Sequence, residues 1–202
     1  MIDLYTFTTP NGRKPAIMLE EVGLPYQLHK IDIAKGEQFS PAYVAINPNS
    51  KIPAITDRET GLTVFESGAI LLYLAEKTGQ FLPTDLAGRF QVIEWLMFQM
   101  ASVGPMFGQL GHFRRFAPEP VPYAIDRYEK EVLRLFGVMD RQLTQTEFLA
   151  GVYSIADMAT YPWVVATSLM NLTLGDYPHL KRWVETLEQR PAVQKGMDLQ
   201  FG

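Results

Sequence analysis

The chain has 202 residues, of which 47% are apolar and 20% charged, with a formal net charge of −4 and no cysteine. That is enough apolar material to pack one large domain or two small ones, which sets disorder aside. The charge balance lacks the basic footprint of a nucleic-acid surface, and the missing cysteines exclude a disulfide framework, a thiolate nucleophile and a cysteine metal site.

Residues 2–7, "IDLYTF", are apolar and β-prone and predict a short strand, followed by the turn "TTPNG". "RKPAIMLEEVG" carries Ile17, Leu19 and Val22 among charges and stops on Gly23, the pattern of a three-turn helix. "YQLHKIDI", 26–33, predicts a second strand, parallel to the first through a right-handed crossover. A polar stretch with a short helical piece leads to two strands, "PAITD" and "LTVFE", joined at Gly61. The helix "SGAILLYLAEKTG" ends on Gly79. From Leu86 onward only helical patterns remain. A long helix is expected to bend at Gly104-Pro105, because proline removes a backbone donor and clashes with the turn before it. A second carries Ile125, Tyr128, Val132, Leu135, Phe136, Met139 and Leu143 on one face. A third opens on Ser154-x-x-Asp157, close to a capping box. The last clear helix runs up to Pro191. The expected organisation is an α/β domain of βαβ-ββα order over residues 1–79, a linker at 80–86, and an all-helical domain over 87–202. The start of the sequence has an acid at Asp3 and no long apolar segment, so no signal peptide is expected. The longest apolar run, Ala69 to Ala75, is far short of the ~20 residues that span a bilayer. The expectation is a cytoplasmic protein that does not engage membranes or nucleic acid.

Two places ask for a ligand. Pro53 either opens an edge strand, where proline is tolerated, or belongs to a cis Ile52–Pro53 bond in a tight turn. The second arrangement turns the Ile52 N–H and C=O outward, where an extended peptide can pair with them as an added strand. Glu66-Ser67 either caps and charges the start of the following helix or works on a ligand. A helix N-terminus receives a carboxylate through its unpaired N–H groups and dipole, with the Ser67 hydroxyl beside them. Glu66, just outside, suits an ammonium. Together the two fit the zwitterionic end of an amino acid or γ-glutamyl group. His29, His112 and His179 are scattered without ligand spacing, so no metal is expected. Trp95, Trp163 and Trp183 are read as packing. Met97, Met100 and Met106, with Phe98 and Phe107, are either core or the wall of an apolar substrate pocket.

The βαβ-ββα order, Ile52-Pro53 opening the third strand and Glu66-Ser67 opening the third helix together resemble the thioredoxin-like domain of glutathione transferases. The segment "LAGVYSIADMATYPWV" is similar to their helical C-terminal domain. The likeness covers nearly the whole chain, and "NPNSKIPAI" with "FESGAILLYLAEKTG" is its most specific part. "TTPNGRK", "GEQFSP" and "VGPMFGQ" narrow it to the bacterial nu-class-like members, a group associated with glutathione-dependent disulfide-bond reduction.

The resemblance implies a set of roles. Ile52, after which Pro53 follows, would bond the cysteinyl backbone of glutathione. Glu66 and Ser67 would hold its γ-glutamyl end. Gln38 and Asn49-Ser50-Lys51 would lie near its glycyl end or alongside it. Tyr5 falls inside the strand, too early for the usual sulfur site, so Thr9 and Asn11 of Thr9-Pro10-Asn11 would take that place. The chemistry there needs a donor at sulfur, which favours the thiolate and lowers the thiol pKa from ~8.5. The same two residues can instead shape the turn and cap the helix. A homodimer is implied, in which Arg127 reaches a carboxylate of a second glutathione, or of the far half of glutathione disulfide, across the interface. The alternative for Arg127 is an i,i+4 pair with Glu131. The favoured activity is reduction of a small disulfide by glutathione as co-substrate, without a protein cysteine or metal. Conjugation to an electrophile and peroxide reduction are the alternatives within the family. A non-catalytic glutathione-binding or regulatory protein is the alternative outside it.

Overall fold

A computed structural model describes residues 1–201, and the chain divides into two compact units. Met1–Leu82 together with the segment from Gln189 onward form the first, and Pro83–Glu188 the second.

The first unit is built on a mixed four-stranded sheet of order β2-β1-β3-β4, with β1 Ile2–Thr6, β2 Tyr26–Lys30, β3 Ala54–Asp57 and β4 Thr63–Phe65. β1 runs parallel to β2 and antiparallel to β3, and β3 is antiparallel to β4. The period-two alternation of β1 sends Ile2, Leu4 and Thr6 to a buried face. Helix α1, Pro10–Val22, and helix α3, Ser67–Thr78, pack together and fill the core with Ile17, Met18, Leu19, Ile70, Leu71 and Leu74. Both stop on glycines with positive φ, Gly23 at 65° and Gly79 at 66°, as the sequence predicts. A short helix α2, Pro41–Ile46, precedes β3 and buries Tyr43.

Two boundaries differ from the sequence reading. The segment "TTPNG" is largely helix, not turn: α1 begins at Pro10 with Thr9 as its N-cap, because proline at the first helical position needs no N–H partner and its φ is already helical. Pro191 likewise opens a further helix, α9, Pro191–Met197, rather than only ending the one before it. α9 returns to the first unit, so the expected helical domain of 87–202 gives up its last segment. The close approach rests on Gly196, where a Cβ would stand 2.5 Å from the Ile17 Cα and N. Arg190 adds a two-pronged bond to Glu21, at 2.8 and 2.9 Å.

The second unit is helical throughout. Helices α4, Leu86–Phe98, and α5, Gly104–Arg115, are separated by a widened π turn over Gln99–Val103, in which Gly104 N–H reaches back to the Gln99 carbonyl. The distortion lies just before Pro105, where a missing donor is expected to open the ladder. Helix α6, Pro122–Leu143, turns Val132, Leu135, Phe136, Met139 and Leu143 inward, against α5 and against α8, Pro178–Glu188. Phe107 packs edge-to-face on Phe136 and is fully buried, so it is core rather than pocket wall, while Met97 is exposed.

Helix α7, Ile155–Ala166, opens on the predicted capping box. The buried Asp157 carboxylate accepts from the Ser154 N–H at 3.0 Å, the Leu149 N–H at 3.0 Å and the Trp183 Nε1–H at 2.8 Å. One side chain thus holds the loop before α7, the start of α7 and the middle of α8. Burial pushes the Asp157 carboxyl up to about 6 against the pull of these donors. Among the described residues no helix is long and apolar enough to cross a membrane.

Asp157→Ala strips the Leu149, Ser154 and Trp183 N–H groups, and the Ser154 hydroxyl, of their acceptor, each N–H costing about 1–3 kcal/mol when left unpaired. A loss of about 3 kcal/mol or more in urea denaturation is expected, with less from Asp157→Asn, which retains an acceptor oxygen.

Candidate active site

The first unit gathers most of the predicted residues where strand ends meet helix starts. Thr9, half-buried, caps α1 by accepting the Gly12 N–H at 3.1 Å. A hydroxyl that accepts one bond still has its own proton to give, so capping and donation are compatible on this side chain. Asn11 sits half-buried on the first helical turn rather than in a loop. Gly12 fixes this corner. A Cβ there would collide with the Phe7 carbonyl and stand 2.5 Å from Thr6 Oγ1, and Thr6 Oγ1 donates to the Gly12 carbonyl at 3.0 Å. Only glycine lets the start of α1 lie this close to the end of β1.

The second wall is the segment before β3. The Lys51 carbonyl accepts from Tyr43 Oη and Asn47 Nδ2, both at 2.6 Å, and Asn47 Oδ1 accepts the Asn49 N–H at 2.9 Å. These bonds hold the backbone while the Asn49 and Lys51 side chains stay exposed. Ser50 takes a positive φ of 54°. The Ile52–Pro53 bond is cis, as the sequence reading expects. Ile52 stands ahead of Ala54, the first paired residue of β3, so its N–H and C=O lie outside the sheet ladder.

The third wall is the start of α3. Glu66 is the N-cap residue at φ 70° and ψ 118°, an unusual conformation for a non-glycine residue, and its side chain makes no capping bond. Such strain costs of order 1–3 kcal/mol and collects at ligand sites. Ser67, at the first helical position, is buried, and its Oγ receives Lys14 Nζ at 3.2 Å. The alternative in which Ser67 caps the helix therefore fails, since Ser67 is already its first residue, and the exposed Glu66 carboxylate accepts from Asn49 Nδ2 at 3.5 Å. The result is a helix N-terminus and a serine for a carboxylate, a carboxylate for an ammonium, and an unpaired strand edge for a peptide backbone.

Gln38 lies on a short 3₁₀ turn, Glu37–Phe39, and no hydrogen bond joins it to the other site residues. Its Oε1 is shielded from solvent and has no hydrogen-bond partner among the described residues. Arg127 is on α6, in the second unit. It is exposed and lines a recess of about 680 Å³ with Met106, Tyr123, Tyr128, Glu131 and Arg134. The i,i+4 pair with Glu131 does not form. Arg134 takes both Glu131 oxygens at 2.8 and 2.7 Å and holds that carboxyl low, Arg127 adding only a weaker pull.

The sequence reading missed Lys14. It is only 1% exposed, and its amine reaches Ser67 Oγ at the start of α3. The signal was available: Ile17 and Met18 stand three and four positions on, so Lys14 falls on the apolar stripe of α1 rather than on its charged face.

The model of the glutathione S-transferase N-terminal domain matches residues 1–76, and that of the C-terminal domain residues 104–191. The disulfide-bond oxidoreductase YfcG of Escherichia coli is 47% identical, across 98% of this chain and 94% of its own length. A second, YghU, is 45% identical across 96% of this chain and 73% of its own length. A glutathione transferase from Pseudomonas putida, solved with one glutathione disulfide bound per subunit, matches with a TM-score of 0.92 at 44% identity, covering 99% of this chain and 92% of that one. One from Burkholderia graminis, solved with two glutathione molecules per subunit, matches with a TM-score of 0.92 at 46% identity, covering 98% of this chain and 87% of that one. With both domain models matched in order and relatives near half identical over almost its whole length, the chain belongs to the glutathione S-transferase family.

Proposed function

We propose that this protein is a glutathione-dependent disulfide-bond reductase. The observation that carries the reading is the likeness, at 44–46% identity over nearly the whole chain, to transferases solved with glutathione disulfide or with two glutathiones in each subunit. Two thiols at one site are the inventory of a disulfide exchange. The relatives named as disulfide-bond oxidoreductases support the same reading, and a chain without cysteine must take both reducing sulfurs from its co-substrate.

The first glutathione lies along the Ile52 edge. Its γ-glutamyl carboxylate faces Ser67 and the start of α3, and its ammonium faces Glu66. Asn49 and Lys51 flank the glycyl end, whose amide N–H would give Gln38 Oε1 the donor it lacks. Thr9 and Asn11 donate to the sulfur and favour the thiolate. That thiolate attacks one sulfur of the substrate disulfide and expels the other as a thiolate, leaving a mixed disulfide. The thiolate of a second glutathione attacks the glutathione sulfur of the mixed disulfide. Glutathione disulfide forms, the second substrate thiolate leaves, and each expelled thiolate takes up a proton that a glutathione thiol gave up. The protein acts as a homodimer in which Arg127 of the partner subunit binds a carboxylate of the second glutathione with its fork of donors. Among the described residues Arg127 has no ion pair to break first. The cytoplasm, where thiols are kept reduced, suits a reaction that consumes reduced glutathione.

Glu66→Ala removes a charged hydrogen-bond partner, typically worth roughly 1.5–3 kcal/mol. Calorimetric titration should record glutathione binding weakened about ten-fold or more, and unchanged affinity would defeat the assignment. Thr9→Ala and Asn11→Ala should lower turnover with a model disulfide more than affinity. They should also raise the apparent pKa of the bound thiol, followed by the ultraviolet absorbance of the thiolate. If neither variant moves the rate or the titration, a backbone amide serves the sulfur instead. Arg127→Ala should weaken glutathione disulfide more than glutathione while sedimentation still reports a dimer. A monomeric wild type at working concentration would remove the basis for that role.

A further inference from the structure

We propose that Tyr43 and Asn47 are positioning residues for glutathione: by donating together to the Lys51 carbonyl, they aim the Ile52 N–H at the ligand and strengthen it as a donor. The inference rests on the glutathione reading above and goes beyond it, because both side chains act from behind the strand edge. Tyr43 is 2% and Asn47 1% exposed, too little to meet a ligand themselves.

The two residues belong to the end of α2, Tyr43 inside the helix and Asn47 as its C-cap. Their side chains converge on one acceptor. Tyr43 Oη and Asn47 Nδ2 each donate to the Lys51 carbonyl at 2.6 Å, which occupies both lone pairs of that oxygen. Asn47 commits its other polar groups to the same short segment. Its Oδ1 accepts the Asn49 N–H at 2.9 Å, its carbonyl accepts the Ser50 N–H at 3.0 Å, and its own N–H returns to the Tyr43 carbonyl at 2.8 Å. Residues 47–51 are thereby tied to α2 as a unit. Burial pushes the Tyr43 phenol up to about 12 against a smaller pull from Asn47, so Tyr43 keeps the proton it donates at any pH near neutrality.

The anchored carbonyl and the Ile52 N–H are two ends of one peptide group. The Lys51–Ile52 bond is trans, and a planar trans peptide points its C=O and N–H in opposite directions. Holding the Lys51 oxygen toward two buried side chains therefore turns the Ile52 N–H away from them. No hydrogen bond among the described residues uses that N–H. The two donors also polarise the amide, and hydrogen bonds in a chain strengthen one another. The N–H at the far end gives a stronger bond for that reason. In an added-strand arrangement its partner is the cysteinyl carbonyl of glutathione.

Tyr43→Phe removes one donor and keeps the ring, whose edge contact with Tyr5 has a centroid distance of 6.4 Å. In the free variant, the Lys51 carbonyl 13C and Ile52 amide 15N resonances should move upfield, the direction taken when a carbonyl loses a donor. Amide resonances at the starts of α1 and α3 should stay in place. Titration calorimetry should then record glutathione bound about two- to ten-fold more weakly, the range for one hydrogen bond between neutral groups. Wild type gives a check that needs no variant: the Ile52 amide proton should move downfield when glutathione binds. A loss of affinity without the Lys51 and Ile52 shifts would leave Tyr43 a merely structural residue. Unchanged affinity despite those shifts, or an Ile52 amide that glutathione leaves in place, would equally overturn the role while the glutathione reading stands. Failure of glutathione to bind the wild type would overturn both.

Discussion

No side chain can stand at residue 12. The start of α1 lies so close to the end of β1 that a Cβ would collide with the Phe7 carbonyl, and the site follows from that contact. It places Thr9 at the helix cap and Asn11 on the first turn, and it brings Lys14, two positions past the glycine, under Ser67. A local steric limit thus sets both the Thr9–Asn11 corner and the place of Lys14 beside Ser67.

The two corners are built by different physics. At the start of α1, one cap residue, Thr9, satisfies a backbone N–H and keeps a proton to give. At the start of α3, the chain holds Glu66 in an unfavourable backbone conformation and leaves its carboxylate without a capping role. Strain of that kind persists only when the surroundings over-determine it. Here Glu66 is fixed from both sides, by the end of β4 before it and by its carbonyl, which accepts the Ile70 N–H at 2.9 Å, after it.

Much of this could be read from the residues, because the decisive signals are local. The glycine stops at 23 and 79, the Ser154–Asp157 cap and the unusual setting of Pro53 each depend on neighbours a few positions away. What escaped has two causes. Proline is ambiguous between ending one helix and opening the next: Pro10 and Pro191 both read as punctuation, and both turned out to be first residues of helices. Lys14 escaped because lysine is so seldom buried that its place on the apolar stripe was overruled by its charge. Arg127 shows the opposite limit. Its neighbour Glu131 had two possible arginine partners, and helical spacing could not say that Arg134 would take both oxygens.

The return of α9 to the first unit has a temporal side. Arg190 meets Glu21 across 169 positions of sequence, so the outer surface of α1 has no cover until that much more chain exists. At the ~5–20 residues per second of ribosomal synthesis, that surface stays open for roughly 10–35 s. During that time the nascent chain carries an apolar helix face, and the glycine that later admits Ile17 has not yet been made.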